Sequence, residues 1–202
     1  MKITPHLVIG YHGCTRDVAE KIFSGEDEHL SPSANDYDWL GHGIYFWEND
    51  YQRAFEWAEL SIRRNKSKHA KPAVVGAVIL PNHCLDLIQQ EHIEIVRSRY
   101  KLYKEELLAV GMQEDDMPKN CEAYKGDKDL MLRYLDCQVI NYVHNNMEKL
   151  KGIPFDSVRA PFLEGKAIFK GSMLMEKTHI QLAIRSPKKC ILGYFRPFKD
   201  LA

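Results

Sequence analysis

Gly41-His42-Gly43-Ile44-Tyr45-Phe46 is the stretch on which the reading of this chain turns. Two glycines permit a tight entry into a short strand, Ile44 to Trp47. Alternation along a strand puts Ile44 and Phe46 on one face and Tyr45 on the other. A tyrosine held on the non-core face offers a flat surface for stacking an aromatic ring, although ordinary strand amphipathicity produces the same pattern.

Upstream, Leu7 to Tyr11 reads as a strand ending at His12-Gly13. Thr15 can cap a helix that carries Val18, Ala19, Ile22 and Phe23 on one face and stops at Gly25. Downstream, Asn49 or Asp50 can cap a helix bearing Ala54, Phe55, Trp57, Ala58 and Ile62. A basic run follows, with Arg63, Arg64, Lys66, Lys68 and Lys71. Ala73 to Leu80, between Pro72 and Pro81, is a nearly continuous apolar run and reads as a buried strand.

Residues about 84–150 read as helical, divided by the acidic loop Glu114-Asp115-Asp116 and Pro118. Ile93, Val96, Tyr100, Tyr103 and Leu107 keep helical spacing, as do Leu130, Leu132, Leu135, Val139 and Val143. Strand candidates then return at Phe155 to Val158, Ala167 to Phe169, His179 to Ile184 and Cys190 to Phe195. Strands, a helical insert and strands again make an α+β domain rather than regular βαβ alternation.

The chain has 202 residues, which predicts a single domain over 1–202 with the insertion at about 84–150. Lys+Arg and Asp+Glu are 28 each, so bulk electrostatics toward nucleic acid or membrane is excluded while local patches remain. No apolar run is long enough to span a membrane, and the opening segment lacks a signal-peptide core. Cys14, Cys84, Cys121, Cys137 and Cys190 are an odd, sparse set, which reads as reduced thiols in a cytosol. No CxxC or HExxH occurs, and His144 with Glu148 lacks further ligands, so no metal is expected.

Three positions offer chemistry. His12, ahead of Gly13, could hydrogen-bond a ribose hydroxyl through Nε2, or could simply satisfy its own loop. Tyr45 is the second. His179 and Gln181 share a strand face opposite Ile180, Leu182 and Ile184, as a cleft wall or an exposed sheet face would. Together, His12-Gly13, Trp39-Leu40-Gly41-His42-Gly43-Ile44-Tyr45-Phe46, the helix with Ala54 and the late polar strand resemble the ADP-ribosyltransferase superfamily. The likeness is to its diphtheria-toxin and poly(ADP-ribose)-polymerase branch, with its His, Tyr, Glu triad, and covers nearly the whole chain outside the insert.

That resemblance implies a split mixed β-sheet core with flanking helices and a helical insert. It also implies NAD as ADP-ribose donor, with His12 on the donor ribose, the Gly13 backbone on the nicotinamide carboxamide and Tyr45 stacked on the ring. Cys14, Gly43, Trp57 and His179 would complete the NAD cleft. The family's glutamate falls at Gln181, or at His179 or Glu176 in a shifted register. A glutamine can bond a ribose hydroxyl but is a poor base, so single transfer is expected rather than polymer growth. Glu164, just before the late strand, is expected on an acceptor-facing loop, supplying the missing carboxylate. The family's second aromatic falls at Glu56, between Phe55 and Trp57, and its serine falls near Arg53. Arg159 could contact a phosphate or be an exposed structural arginine. The motifs are also similar to toxins of bacterial toxin–antitoxin phage-defence systems. The expectation is therefore a cytoplasmic mono-ADP-ribosyltransferase acting on RNA or protein, with an antitoxin partner and no membrane. An NAD glycohydrolase and an inactive NAD-, ADP-ribose- or RNA-binding module are the alternatives.

Overall fold

The computed structural model describes residues 7–66, 69–126, 128–149 and 152–200. Lys68 of the basic run lies outside them. Among the described residues the chain is α+β, with seven strands in one mixed sheet and five α-helices. The strands are β1 (Val8–Thr15), β2 (Ile44–Glu48), β3 (Pro72–Ile79), β4 (Cys84–Asp86), β5 (Ser157–Phe162), β6 (His179–Ile184) and β7 (Ile191–Phe195). The helices are α1 (Arg16–Ser24), α2 (Tyr51–Arg64), α3 (Gln90–Ala109), α4 (Tyr134–Lys149) and the single turn α5 (Pro187–Cys190). Spatial order is β4-β5-β6-β2-β1-β3-β7, with β4–β5 parallel and the other pairs antiparallel.

Local signals explain the elements around the glycine-bracketed strand. Asp50 caps α2 by accepting the Arg53 N–H at 3.0 Å, and Gly25 ends α1 in the left-handed conformation at φ 75°. Ala19 and Ile22 of α1 are buried as the spacing predicts, but Val18 is exposed, because the sheet covers only part of this short helix.

The sheet is buried on both faces. Ile44 and Phe46 join Leu182, Ile184, Val75, Ile79 and α1 in one core. Tyr45 packs on the opposite face, in a second core with Leu40, Ile140, Val143, Val158 and Ala183. The expectation of a non-core face at Tyr45 is therefore corrected, since α4 of the insert lies over it. A third cluster, Trp47, Ala54 and Val74, forms where α2 covers the same face farther along.

Other expectations shift for stated reasons. Cys84–Asp86 is a strand, so the insert is helical only after β4. Its partner β5 lies some seventy residues away, beyond the reach of periodicity. Leu130 and Leu132 sit before α4, outside the helix, Leu130 with φ 49° and Leu132 in an isolated bridge with Cys121. Ala167 to Phe169 is not a strand of the sheet. Gly165 and Gly171 take φ 90° and 82°, and the segment folds on itself through Ile168 N–H to Leu174 O at 3.0 Å and Glu176 N–H to Lys166 O at 2.9 Å. The late strand candidate begins later than expected, at Ser157.

Candidate functional site

β1 pairs with β3 along eight residues, Val8 to Thr15, but with β2 only through Gly10–Glu48 and Tyr11–Trp47. Beyond Tyr11 the two strands part. His12 spans the parting, with Nδ1 2.8 Å from the Tyr45 carbonyl oxygen and its ring 5.8 Å from that of Phe46. A carbonyl only accepts, so Nδ1 is the protonated nitrogen, and Nε2 of the neutral ring is a hydrogen-bond acceptor. Burial lowers the His12 pKa and keeps the ring neutral, against a smaller opposing effect of the Tyr45 carbonyl.

Gly13 and Gly43 have steric reasons to be glycine. A Cβ at Gly13 would stand 1.9 Å from the Ala54 carbonyl oxygen, so α2 lies directly on β1. One at Gly43 would stand 2.9 Å from the Ile184 carbonyl oxygen, and Gly43 exchanges two backbone hydrogen bonds with Ser33 at 2.8 and 3.0 Å. Cys14 is half-buried against the first core.

The Tyr45 phenol is pinned rather than free. Its hydroxyl donates to the Gly41 carbonyl at 2.8 Å and accepts the Leu40 N–H at 3.0 Å, and burial pushes its pKa well above the usual tyrosine value. The structure thus joins His12 to Tyr45 through the tyrosine's backbone, while the phenol ring packs toward α4.

On the same face as Tyr45, Trp47 sits opposite Gln181 in the β2–β6 register, and Phe162 sits opposite His179 across β5–β6. The Trp39 indole donates to Gln181 Oε1 at 2.6 Å. The His179 ring stacks on Phe162 at 5.5 Å and lies 6.2 Å from Trp47. His179 Nδ1 donates to the Lys177 carbonyl at 2.7 Å, and burial lowers its pKa. His179 and Gln181 do share a face opposite Leu182 and Ile184, but that face is closed: His179 is only 7% exposed.

Glu164 is not a solvated loop residue. Its carboxylate takes the Arg53 Nη2 at 2.6 Å, lies 3.9 Å from His179 Nδ1, and is 13% exposed. Arg53 also donates to Glu56 at 2.5 Å. Trp57 lies 5.9 Å from Trp47, filling this wall beside α2. Glu176 is exposed and lines an open groove of about 410 Å³ with Asp50, Gln52, Arg53, Glu56 and Lys177.

Arg159 departs from the expectation of an exposed arginine. It grips Glu48 through Nε and Nη2 at 2.6 and 2.9 Å and Asp86 through Nη1 at 3.3 Å, which ties β5 to β2 and β4. Trp47 and Arg53 are the wall residues that sequence reasoning left without a role. Trp47 was within reach of it, since alternation puts Trp47 on the face of Tyr45.

The fold and site define an α+β protein whose mixed sheet opens beside a neutral, strand-bridging histidine. No family model matches the chain, and no solved structure matches it. It is 30% identical over 196 aligned residues to the uncharacterized protein MJ0359 of Methanocaldococcus jannaschii, an alignment that covers 88% of this chain and 81% of that protein. The chain belongs to the family of that archaeal protein. Among the described residues, no helix is long and apolar enough to cross a membrane.

Proposed function

We propose that the chain is a mono-ADP-ribosyltransferase, moving ADP-ribose from NAD to a macromolecular acceptor, RNA or protein, with release of nicotinamide. The observation that carries this reading is the His12 imidazole bridging the point where β1 and β2 part, with Nδ1 committed to the Tyr45 carbonyl and Nε2 left as an acceptor. It joins the two residues on which the resemblance to the superfamily rests.

The residues present fit the donor. Bound NAD supplies a C1′–N bond already weakened by its cationic pyridinium. Neutral His12 can accept a hydrogen bond from a ribose hydroxyl at Nε2. The Gln181 side-chain nitrogen donates to the ribose, its oxygen being held by Trp39. Trp39, Trp47, Trp57 and Phe162 exclude water. The Glu164 carboxylate, fixed by Arg53, adds negative charge beside the positive charge that grows on the ribose.

A second reading, NAD glycohydrolase, draws on one specific observation. The third position is a glutamine with its oxygen already bonded, not a free carboxylate. The sparse, odd set of five cysteines supports a reducing, cytoplasmic setting. A toxin or antiviral effector of this kind would be restrained by an antitoxin protein.

Incubation of the purified chain with labelled NAD and cell lysate tests the reading. Label on RNase-sensitive or protease-sensitive material is the expected result, and loss of it in His12→Ala and Tyr45→Ala ties it to the site. Free ADP-ribose alone selects the glycohydrolase. No turnover, in wild type as in variants, leaves a binding module and removes the enzyme.

A further inference from the structure

The connection between β5 and β6 folds into a hairpin, residues 166–176, that contributes no residue to the three cores. Ala167 and Met175 pair across it, with Ile168 N–H to Leu174 O at 3.0 Å and Glu176 N–H to Lys166 O at 2.9 Å. Ser172 N–H closes the turn on Phe169 O at 3.0 Å. The foot of the hairpin is fastened to the rest of the molecule. Glu164 holds Arg53 of α2 at 2.6 Å, and Gly165 N–H donates to Asp129 Oδ2 at 3.0 Å. Beyond that foot Ile168, Phe169, Met173 and Leu174 are each between 52% and 82% exposed, and Leu163 beside it is exposed as well. Each arm exposes two consecutive apolar residues, and consecutive side chains of an extended chain leave on opposite sides. The apolar surface therefore wraps the tip instead of lying on one face. Single exposed apolar residues need no explanation, but a contiguous group of them marks a site of interaction.

We propose that this hairpin is an interfacial anchor that docks the protein on an anionic lipid bilayer. From Gly165 to Met175 the sequence carries Lys166 and Lys170, both exposed, and no carboxylate. The partner must therefore be negative at its surface, apolar just beneath, and able to take side chains on more than one side of a narrow tip. Fluid acyl chains under anionic headgroups meet all three demands. A second copy of the hairpin would bring lysine to lysine, and a flat protein face would cover one side of the tip only.

The tip is built for that environment. Its backbone hydrogen bonds are made within the hairpin, which lowers the cost of leaving water. Phe169, Met173, Ile168 and Leu174 enter the headgroup and acyl boundary, while Lys166 and Lys170 lay their methylene stems along them and keep their ammonium groups among the headgroups. Exposed Glu176, opposite Lys166, sets the depth, because an anionic surface repels a carboxylate. Among the described residues no helix is long and apolar enough to cross a membrane, so the attachment is peripheral. It departs from the expectation of no membrane partner, and the transferase reading does not depend on it.

Co-sedimentation of the full chain with vesicles of phosphatidylcholine alone, or of equimolar phosphatidylglycerol and phosphatidylcholine, tests the anchor at low and high salt. Variants are the double substitution Phe169→Ser with Met173→Ser, the single substitutions Lys166→Gln and Lys170→Gln, and Val110→Ser as an exposed apolar residue outside the hairpin. All replaced side chains are exposed, and thermal melts confirm that each variant folds. Wild type and Val110→Ser should bind the anionic vesicles and bind phosphatidylcholine far less. Each lysine substitution should weaken binding about fivefold, and the double serine variant by about tenfold or more. Phe169→Trp should gain a fluorescence component that brominated acyl chains quench. No sedimentation of wild type with anionic vesicles overturns the proposal, as does equal binding by the double serine variant. Binding that high salt abolishes, with Phe169→Trp untouched by the brominated lipid, overturns insertion of the tip. A concentration-dependent dimer that the double serine variant abolishes, without vesicle binding, assigns the patch to a second copy and overturns the anchor. None of these outcomes bears on nicotinamide release, which is measured separately.

Discussion

His144 provides a thermodynamic test of the second core. It is fully buried in α4, its ring 6.1 Å from that of Phe155, and neither ring nitrogen has a hydrogen-bond partner. Burial, with a smaller push from the Arg185 charge, lowers its pKa to about 3. In the unfolded chain the same ring titrates near the ordinary value of about 6.5. A folded-state pKa below the unfolded one means that the unfolded chain binds the extra proton. The neutral ring's contribution is therefore intact above about pH 6.5 and is lost as the pH falls from there toward 3, at about 1.4 kcal/mol per pH unit. His12 and His179, also depressed, contribute with the same sign.

Replacing His144 by Leu isolates one proton from the others. Urea unfolding at pH 7.5 and pH 5.5 gives the effect of the substitution at each pH. That effect should become more favourable by about 1.4 kcal/mol at the lower pH, because wild type loses that much and the variant does not. The variant should also be no less stable than wild type at pH 7.5, since two unsatisfied polar atoms are removed. An effect of His144→Leu that is the same at both pH values would refute the reasoning.

Gly13→Ala should destabilise the fold by about 2–3 kcal/mol, because its Cβ would collide with the Ala54 backbone and force α2 off β1; a melting temperature equal to wild type would contradict this. Arg159→Met leaves Glu48 and Asp86 without their cation and should cost about 3–5 kcal/mol in urea unfolding, part of which Asp86→Asn in the same chain should restore. Tyr45→Phe removes one hydroxyl with two backbone partners and should cost about 1–2 kcal/mol while retaining NAD turnover, whereas Tyr45→Ala should abolish turnover; equal turnover in both variants would show that the ring has no part in the site.

Much of the architecture was legible in the chain itself. The glycine-bracketed strand, the Asp50-capped helix, the apolar run between Pro72 and Pro81, and the alternation of His179 to Ile184 each carry their instructions within a few residues. Steric limits at glycine and proline and the period of apolar side chains act locally, and they suffice to name these elements. The same local signals singled out His12 and Tyr45, but not that the Tyr45 ring lies buried in the second core with its hydroxyl pinned to Gly41 and Leu40.

Tertiary structure decided the rest. Whether Tyr45 and His179 face solvent depends on α4 and α2, which nothing in the strands themselves encodes. The pairing of β4 with β5, the grip of Arg159 on Glu48 and Asp86, and the contact of Arg53 with Glu164 across 111 residues all join distant segments. A side chain's charge state, solvent contact and partners follow from what folds over it, and that is a property of the packed molecule rather than of any window of sequence.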